Sequence, residues 1–267
     1  MKIHQPDPRE PLHCNSRGAG AVILSMIVAL TVSWPVLAQT EHLASGMSAL
    51  LLQVNTVPDS FRTWNFDTDD QGKMPTGFSA DTVGGGPSGQ WKIVADPEAP
   101  SVPNALTQTA PCVASDCFQL LLADGLTYEY LDLTVGLRFN SNSSRGVAGI
   151  VFGVRDKQNF YAALVDPATD TLELIRIADK HETVLGRAQV QRGKRPWHRL
   201  RIQYNTIISK EYIQTSFDGK LAVSVQIEAL TAGQIGLVTQ GQPAIGFDSL
   251  HVAPLYSQRP LSPPAAY

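Results

Sequence analysis

Residues 197–204 are Trp-His-Arg-Leu-Arg-Ile-Gln-Tyr, a stretch in which apolar and polar side chains alternate. Successive side chains of a β-strand point to opposite faces. One face therefore carries the apolar side chains Leu200, Ile202 and Tyr204. The other face carries the polar side chains Arg199, Arg201 and Gln203. This alternation is typical of a strand that has one face in the core and the other in water.

Similar runs continue from Phe61 onward and are separated by turn signals about every 8 to 15 positions. The segments Asp156-Lys157-Gln158-Asn159 and Asp218-Gly219 are typical hairpin links, so consecutive strands are expected to pair antiparallel. The pattern predicts an all-β sandwich of about fourteen strands. These strands are expected at 63–67, 91–95, 105–108, 118–122, 131–139, 148–155, 160–165, 171–178, 182–189, 198–204, 211–217, 220–226, 234–239 and 246–252.

The composition is that of an ordinary globular protein. The chain has 267 residues, of which 43% are hydrophobic, and this argues against disorder. Its 21 Lys and Arg residues against 24 Asp and Glu residues give a formal net charge of -3. A chain of that charge has no field that would gather phosphate backbones, so we expect no nucleic-acid partner.

An apolar stretch near the N-terminus, residues 20–37, follows a segment with basic residues and leads into the small residue Ala38. This order is typical of a secretory signal peptide, so we expect residues 1–38 to be removed on export, which leaves no membrane segment. The alternative is a retained membrane anchor, because about 18 apolar residues is also the lower bound for a spanning helix. Cys14 precedes the apolar stretch, which argues against a lipoprotein.

Three segments follow this leader. Residues 39–60 are expected to form a tether or a short helix, and residues 61–254 the β-sandwich. The final segment, 255–267, contains several prolines and is expected to be a flexible tail.

Two cysteines remain after the leader, Cys112 and Cys117. An even number of closely spaced cysteines in a chain bound for an oxidising compartment predicts a local disulfide. The alternative is a metal pair, but no histidine or second cysteine pair lies nearby in sequence.

The order of motifs from 61 to 253 resembles the secreted bacterial domains described as 3-keto-disaccharide hydrolase domains, relatives of the laminin-G-like and concanavalin-like jelly rolls. The resemblance rests on these segments: 64–67, 72–78, 148–156 with 159–162, 172–174, 197–202, 217–220, 236–238 and 247–252. It implies a two-sheet antiparallel jelly roll, a periplasmic or extracellular bacterial protein and a carbohydrate ligand. Such folds host many activities, so the resemblance is more specific for fold than for function.

A polar face is predicted where alternating strands lie side by side. Its members are expected to be Arg138, Arg155, Tyr161, Arg176, Arg201 and Gln214. Guanidinium forks and a flat ring are the groups that sugar recognition needs. The alternative is a solvated strand face with cross-strand ion pairs. Trp64, Trp91 and Trp197 are further stacking candidates, but their apolar neighbours favour the core.

Catalytic residues are less well indicated. The Glu-x-Asp-x-x-Glu strand signature of family 16 glycosidases is absent from the sequence, so conventional glycoside hydrolysis has little support. If the substrate is a 3-keto-glycoside, a hydrolase or lyase needs one base beside the carbonyl and one polarising cation or metal. Candidates for the base are Asp156, Glu173 and His181. His198, at a strand entry, is expected to face a turn.

A structural calcium ion is a further expectation. Asp67 and Asp248 lie in the first and last predicted strands, which are neighbours in this architecture, and carboxylates are the hard ligands that calcium prefers. The alternative is that both carboxylates cap turns.

Two function classes follow from these patterns. The first is a carbohydrate-interacting jelly roll, either lectin-like or acting on 3-keto-disaccharides. The second is a structural envelope protein that uses the sandwich for protein contacts, and it predicts an exposed apolar patch of several hundred Å². The sequence does not indicate an oligomeric state.

Overall fold

The regular structure of the described residues is built from β-strands. The computed structural model describes residues 61–86, 88–112, 114, 116–139, 146–228, 230–241 and 245–255. The predicted leader and the 39–60 segment lie outside the described residues, as does all but the first residue of the predicted tail. Among the residues described, no helix is long and apolar enough to cross a membrane.

In the described ranges the chain forms fifteen strands. They are β1 (Arg62–Trp64), β2 (Phe78–Val83), β3 (Trp91–Ala95), β4 (Asn104–Gln108), β5 (Phe118–Ala123), β6 (Leu131–Phe139), β7 (Gly146–Asp156), β8 (Asn159–Asp166), β9 (Thr171–Ala178), β10 (His181–Gln189), β11 (Trp197–Ile207), β12 (Lys210–Phe217), β13 (Lys220–Ile227), β14 (Gln234–Gly241) and β15 (Ile245–Pro254).

These strands form two antiparallel sheets. Sheet A has the order β13-β12-β11-β6-β15-β4-β3, with β1 also paired to β15. Sheet B has the order β10-β9-β8-β7-β14-β5-β2. The chain therefore leaves sheet A after β6, completes the meander β7 to β10 in sheet B, and returns to sheet A at β11. This arrangement confirms the predicted two-sheet sandwich.

The alternation at 197–204 is that of a strand with a single buried face. Leu200 and Ile202 are fully buried and belong to the hydrophobic core between the sheets, together with Leu133, Val135 and Leu137 of β6. Arg199 and Arg201 point the other way, to the outer face of sheet A, where Arg199 is exposed. The sequence prediction for this strand is confirmed.

Sheet B is apolar on both faces. Along β5, Leu121 belongs to the core between the sheets, whereas its neighbour Leu120 belongs to a second cluster on the opposite face. That second cluster also contains Phe118, Phe160 and Ile175. A strand buried on both faces has a nearly continuous apolar sequence, which explains the Phe-Gln-Leu-Leu-Leu-Ala run of β5. A broad polar face is therefore available only on the outside of sheet A, within the described structure.

Two strands differ from the sequence prediction. β2 was not predicted, because its sequence Phe-Ser-Ala-Asp-Thr-Val is half polar and lies between Gly77 and the glycines that begin at Gly84. It pairs with β5 at one end of sheet B. The predicted strand at 63–67 ends early, at Trp64, because Phe66 has a φ of 62° and cannot continue the ladder.

A disulfide joins Cys112 and Cys117, which confirms the predicted bridge. Their Cα atoms are 5.5 Å apart, within the ordinary range for a disulfide. Cys112 also exchanges two backbone hydrogen bonds with Gly241 at the end of β14. The bridge therefore fixes the loop before β5 to the end of β14, an interior strand of sheet B.

We predict that replacing both cysteines by alanine (Cys112→Ala with Cys117→Ala) lowers the free energy of unfolding by about 2 kcal/mol, because the cross-link closes a short loop in the unfolded chain. Urea denaturation of the oxidised proteins measures the difference, and a reductant that opens the bridge should abolish it. Equal free energies of unfolding in oxidising buffer would contradict the prediction.

Candidate functional site

The six residues predicted to share a polar face lie on two sheets. Those in sheet A are Arg138, Arg201 and Gln214, and those in sheet B are Arg155, Tyr161 and Arg176. The expectation of one common face is therefore wrong, because the chain changes sheets between β6 and β7 and again between β10 and β11. Whether each residue contacts a ligand stays a prediction.

The sheet B group surrounds a small recess. Tyr161 is paired with Arg176 across β8 and β9, and the guanidinium carbon lies 5.8 Å from the centre of the Tyr161 ring. Burial raises the pKa of the Tyr161 hydroxyl. The recess, which Arg155 also lines, has a volume of 130 Å³. Ligand pockets usually measure about 300 to 1,000 Å³, so this space is small for a sugar.

A larger cavity lies on the outer face of sheet A, and we call it the Trp197 cavity. Its volume is 710 Å³, within the range of ligand sites. Its floor includes a row of paired residues across three strands, namely Thr63, His251 and Thr134. Trp197, Arg195, His198, Arg199 and Asp218 also line it.

Two glycines allow the Trp197 ring to lie on the sheet. Trp197 begins β11, and its ring extends over β6 toward β15. A Cβ atom on Gly246 would stand 3.2 Å from Cη2 of the ring, and one on Gly136 would stand 3.5 Å from Cε3. The guanidinium carbon of Arg138 lies 5.3 Å from the ring centre, a cation–π distance. The expectation that Trp197 lies in the core is therefore wrong.

The other two tryptophans do pack with the core, as predicted. Trp91 is buried, and its ring lies 5.6 Å from that of Phe247. Trp64 is partly buried and packs edge-on against Phe78 at 5.2 Å. Sequence neighbours alone did not separate these rings from Trp197, because Gly136 and Gly246, beneath Trp197, are 61 and 49 residues away along the chain.

Two of the predicted arginines are held by carboxylates. Arg201 donates to both oxygens of Asp132 across β11 and β6, with Nε 2.8 Å from Oδ1, and this hydrogen bonding raises the pKa of the guanidinium. Gln203 also donates to Asp132, at 3.1 Å. Arg138 pairs with Asp96 at 2.6 Å. These contacts match the cross-strand ion pairs of the alternative interpretation.

The two arginines that line the Trp197 cavity are not held in this way. Arg195 and Arg199 are exposed, and neither guanidinium has a hydrogen bond or ion pair with any residue that the structure describes. Neither residue was among the predicted ligand contacts. The signal for Arg199 was its place on the polar face of 197–204, whereas Arg195 lies in the loop before β11 and had no pattern to identify it.

His198 and Asp218 form a hydrogen-bonded pair at the wall of the cavity. His198 is buried, its ring stacks on Phe217 at 5.2 Å, and its Nδ1 lies 2.8 Å from Oδ2 of Asp218. Oδ1 of Asp218 accepts the backbone N–H of Arg199 at 2.8 Å. Asp218 and Gly219, at φ values of 47° and 79°, form the predicted tight turn between β12 and β13. His198 therefore faces a turn, as the sequence suggested.

The three predicted bases lie in sheet B, away from the lining of the Trp197 cavity. The backbone N–H of Gln158 and the side chain of Asn159 lower the pKa of Asp156. Glu173 pairs with Arg187 at 2.6 Å. His181 is exposed at the start of β10. Within the described structure no hydrogen bond or ion pair joins any two of the three bases, so their catalytic role stays a prediction.

The two predicted calcium ligands, Asp67 and Asp248, come together at the loop that follows β3. Ser101 links them, because its backbone N–H donates to Oδ2 of Asp248 at 2.6 Å and its hydroxyl donates to Asp67. Ser249 N–H donates to the other oxygen of Asp248 at 2.6 Å, and Asn104 N–H donates to the other oxygen of Asp67 at 3.2 Å.

This donor set does not fit a calcium ion. Calcium takes six to eight oxygen ligands, whereas all four carboxylate oxygens here accept hydrogen bonds from the protein. No group of three or more histidine, cysteine or acidic side chains among the described residues is placed to hold a metal. The contacts favour the alternative, in which Asp67 and Asp248 cap turns.

The comparisons with known proteins concern the fold. No protein-family model matches the chain, and no curated protein matches it. Among solved structures, the exoplasmic/lumenal domain of VIP36 in a Ca²⁺/Man-bound form aligns with a TM-score of 0.50 and 10% identity, covering 77% of this chain and 94% of that one. Carbohydrate-binding module CBM66 from Bacillus subtilis aligns with a TM-score of 0.49 and 15% identity, covering 66% and 94%. The carbohydrate recognition domain of Emp47p gives 0.49 and 11%, covering 74% and 99%.

At 10% identity, the likeness to the VIP36 domain concerns the fold alone. The chain is a jelly-roll β-sandwich.

The buried carboxyl of Asp248 leads to a prediction about stability. Burial raises its pKa from 3.8 to about 6. The folded state therefore binds more protons than the unfolded state between these values, and the free energy of unfolding falls as the pH rises from about 4 to about 6. We expect Asp248→Asn to remove this fall, which amounts to about 2 kcal/mol.

Urea denaturation of both proteins at pH 4.5 and pH 7 measures this effect. Asp70→Asn is the control, because Asp70 is exposed and its pKa is lowered by Lys73 rather than raised. Parallel pH profiles for the wild type and Asp248→Asn would show that Asp248 does not titrate in this range.

Proposed function

We propose that the protein binds carbohydrate on the outer face of sheet A, in the Trp197 cavity. The observation that carries the proposal is an indole ring lying on the sheet beside guanidinium, hydroxyl and imidazole groups, in a space of 710 Å³. A flat ring packs against the apolar face of a pyranose, and the polar groups donate to and accept from its hydroxyls. Two further cavities of comparable size, 440 Å³ and 820 Å³, have no tryptophan or histidine among their described lining residues.

The cavity extends along β11. A second recess of 210 Å³ shares Thr134, Arg199 and Gly219 with it and continues to Arg201 and Ser216. From Trp197 to Arg201 the strand rises about 13 Å, at 3.3 Å per residue. This length exceeds that of one sugar ring, which supports an oligosaccharide ligand.

The fold is compatible with this proposal, although the fold alone is not the reason for it. The VIP36 domain that shares the jelly roll is described in a Ca²⁺/Man-bound form. The disulfide and the predicted signal peptide support a place outside the cytoplasm, where such ligands are met.

A catalytic version of the proposal is the hydrolysis of 3-keto-disaccharides, as the motif resemblance implies. His198 supports it, because the residue is part of the cavity lining and Asp218 orients its imidazole. As a base it would take the proton beside the keto group, the electron pair would expel the glycosidic oxygen, and that oxygen would take the proton back. Water added to the resulting enone would complete a hydrolysis. Arg199 would supply the cation that stabilises the enolate.

The binding proposal predicts that Trp197→Ala weakens the affinity for the oligosaccharide best bound on a glycan array by about tenfold or more, because the stacking surface is lost. Calorimetry with the full-length protein measures it. Tyr212→Ala is the matched control, since Tyr212 is an aromatic residue of β12 that does not line the cavity. An unchanged affinity in Trp197→Ala, or an equal loss in Tyr212→Ala, would place the ligand elsewhere.

The catalytic version predicts that His198→Gln slows sugar release from a 3-keto-disaccharide by about a hundredfold or more, while the affinity for the unreactive parent disaccharide stays within about threefold. His251→Gln, on the floor of the cavity, and His181→Gln, in sheet B, serve as controls for the identity of the base. A wild-type protein that binds but releases no sugar would reduce the function to binding. Loss of release in His181→Gln alone would restore the sequence-based candidate.

A further inference from the structure

The charged groups of the Trp197 cavity are unequal in sign. Arg195 and Arg199 line it as cations, and Asp218 is the one anionic residue of its described lining. The chain as a whole has a formal charge of -3, so this positive character is local. A ligand in the cavity would therefore meet a field opposite in sign to that of the whole protein.

The single carboxylate is already engaged. One oxygen of Asp218 lies 2.8 Å from Nδ1 of His198, and the other accepts the backbone N–H of Arg199 at 2.8 Å. Both contacts hold Asp218 at the turn between β12 and β13. The guanidinium groups of Arg195 and Arg199 donate no hydrogen bond to Asp218 or to any other described residue, and they form no ion pair with one.

The neighbouring arginines differ from Arg195 and Arg199 because their guanidinium groups are paired with carboxylates. Arg201 is held by both oxygens of Asp132, and Arg138 by Asp96 with Glu98 at 3.7 Å. On the same face, Arg138 and Arg201 lie outside the Trp197 cavity and have carboxylate partners, whereas the two arginines that line it have none among the described residues. This distribution leaves two planar donor forks directed to solvent at the place where the ring of Trp197 lies.

We infer that the Trp197 cavity selects acidic saccharides, with the carboxylate of a uronic acid taken by Arg199 and Arg195 and a neighbouring sugar ring set against Trp197. This inference rests on the proposed function and specifies its ligand class. A guanidinium matches a carboxylate with two parallel N–H···O bonds, and such charge-assisted bonds are about twice as strong as neutral ones. Because Arg195 and Arg199 are exposed, salt weakens the selection.

The test compares two ligands that differ only in charge, oligogalacturonate and its methyl ester. We expect the full-length protein to bind the acid at least about tenfold more tightly than the ester at low salt, with the difference shrinking as salt rises. Arg199→Gln should lower the affinity for the acid about tenfold and leave that for the ester within about twofold. Arg187→Gln, on β10 of sheet B, is the matched control and should change neither, because Arg187 is an exposed arginine that does not line the cavity. Thermal melts confirm that both variants fold.

Each other outcome counts against a distinct claim. If acid and ester bind equally and Trp197→Ala abolishes the binding of both, the charge selection is overturned but the carbohydrate site is supported. Binding of neutral glycans but of neither galacturonate form also overturns the acidic class. Tighter binding of a sulfated oligosaccharide than of the uronate overturns the carboxylate assignment. Binding of no glycan at all overturns both this inference and the proposed function.

Discussion

The packing of sheet A against sheet B is the constraint on which the other features depend. Each strand of sheet A has one apolar row that must enter the shared core, as Leu200 and Ile202 of β11 do. The side chains between them, such as that of Arg201, must then point to the outer face of the sheet. A shift of one residue in the pairing of β11 with β6 would bury Arg199 and Arg201 and expose the core row, so the register is strongly specified. The placement of the cavity residues follows from that register.

Sheet B limits where polar chemistry can occur. Its strands bury apolar residues on both faces, as Leu120 and Leu121 show in adjacent positions. The polar side chains of sheet B occur singly or in pairs among these apolar rows, as where Tyr161 meets Arg176 and where Asp156 caps its own hairpin. The outer face of sheet A is the surface on which arginine, glutamine and tryptophan side chains are brought together.

The strands could be predicted from sequence because their signal is local. Alternation and turn residues lie within a few positions of one another, and the prediction missed only β2, whose polar residues hide its pattern. Sheet membership is not local, so the predicted polar face combined residues of two sheets. The position of the Trp197 ring does not depend on local sequence either, since it requires Gly136 and Gly246 on other strands. The hydrogen bonds of Asp67 and Asp248 likewise depend on Ser101, which no pattern linked to them.

The glycine backbone beneath the indole of Trp197 also restricts the motion of the ring. A ring supported by main-chain atoms of two paired strands keeps its height and tilt without relying on mobile side chains, and the nearby guanidinium of Arg138 is itself anchored. A partner arriving at such a surface finds its contact geometry already in place, so association orders few additional degrees of freedom. A rigid surface of this kind favours discrimination between ligands of closely related shape, rather than binding of many different ligands.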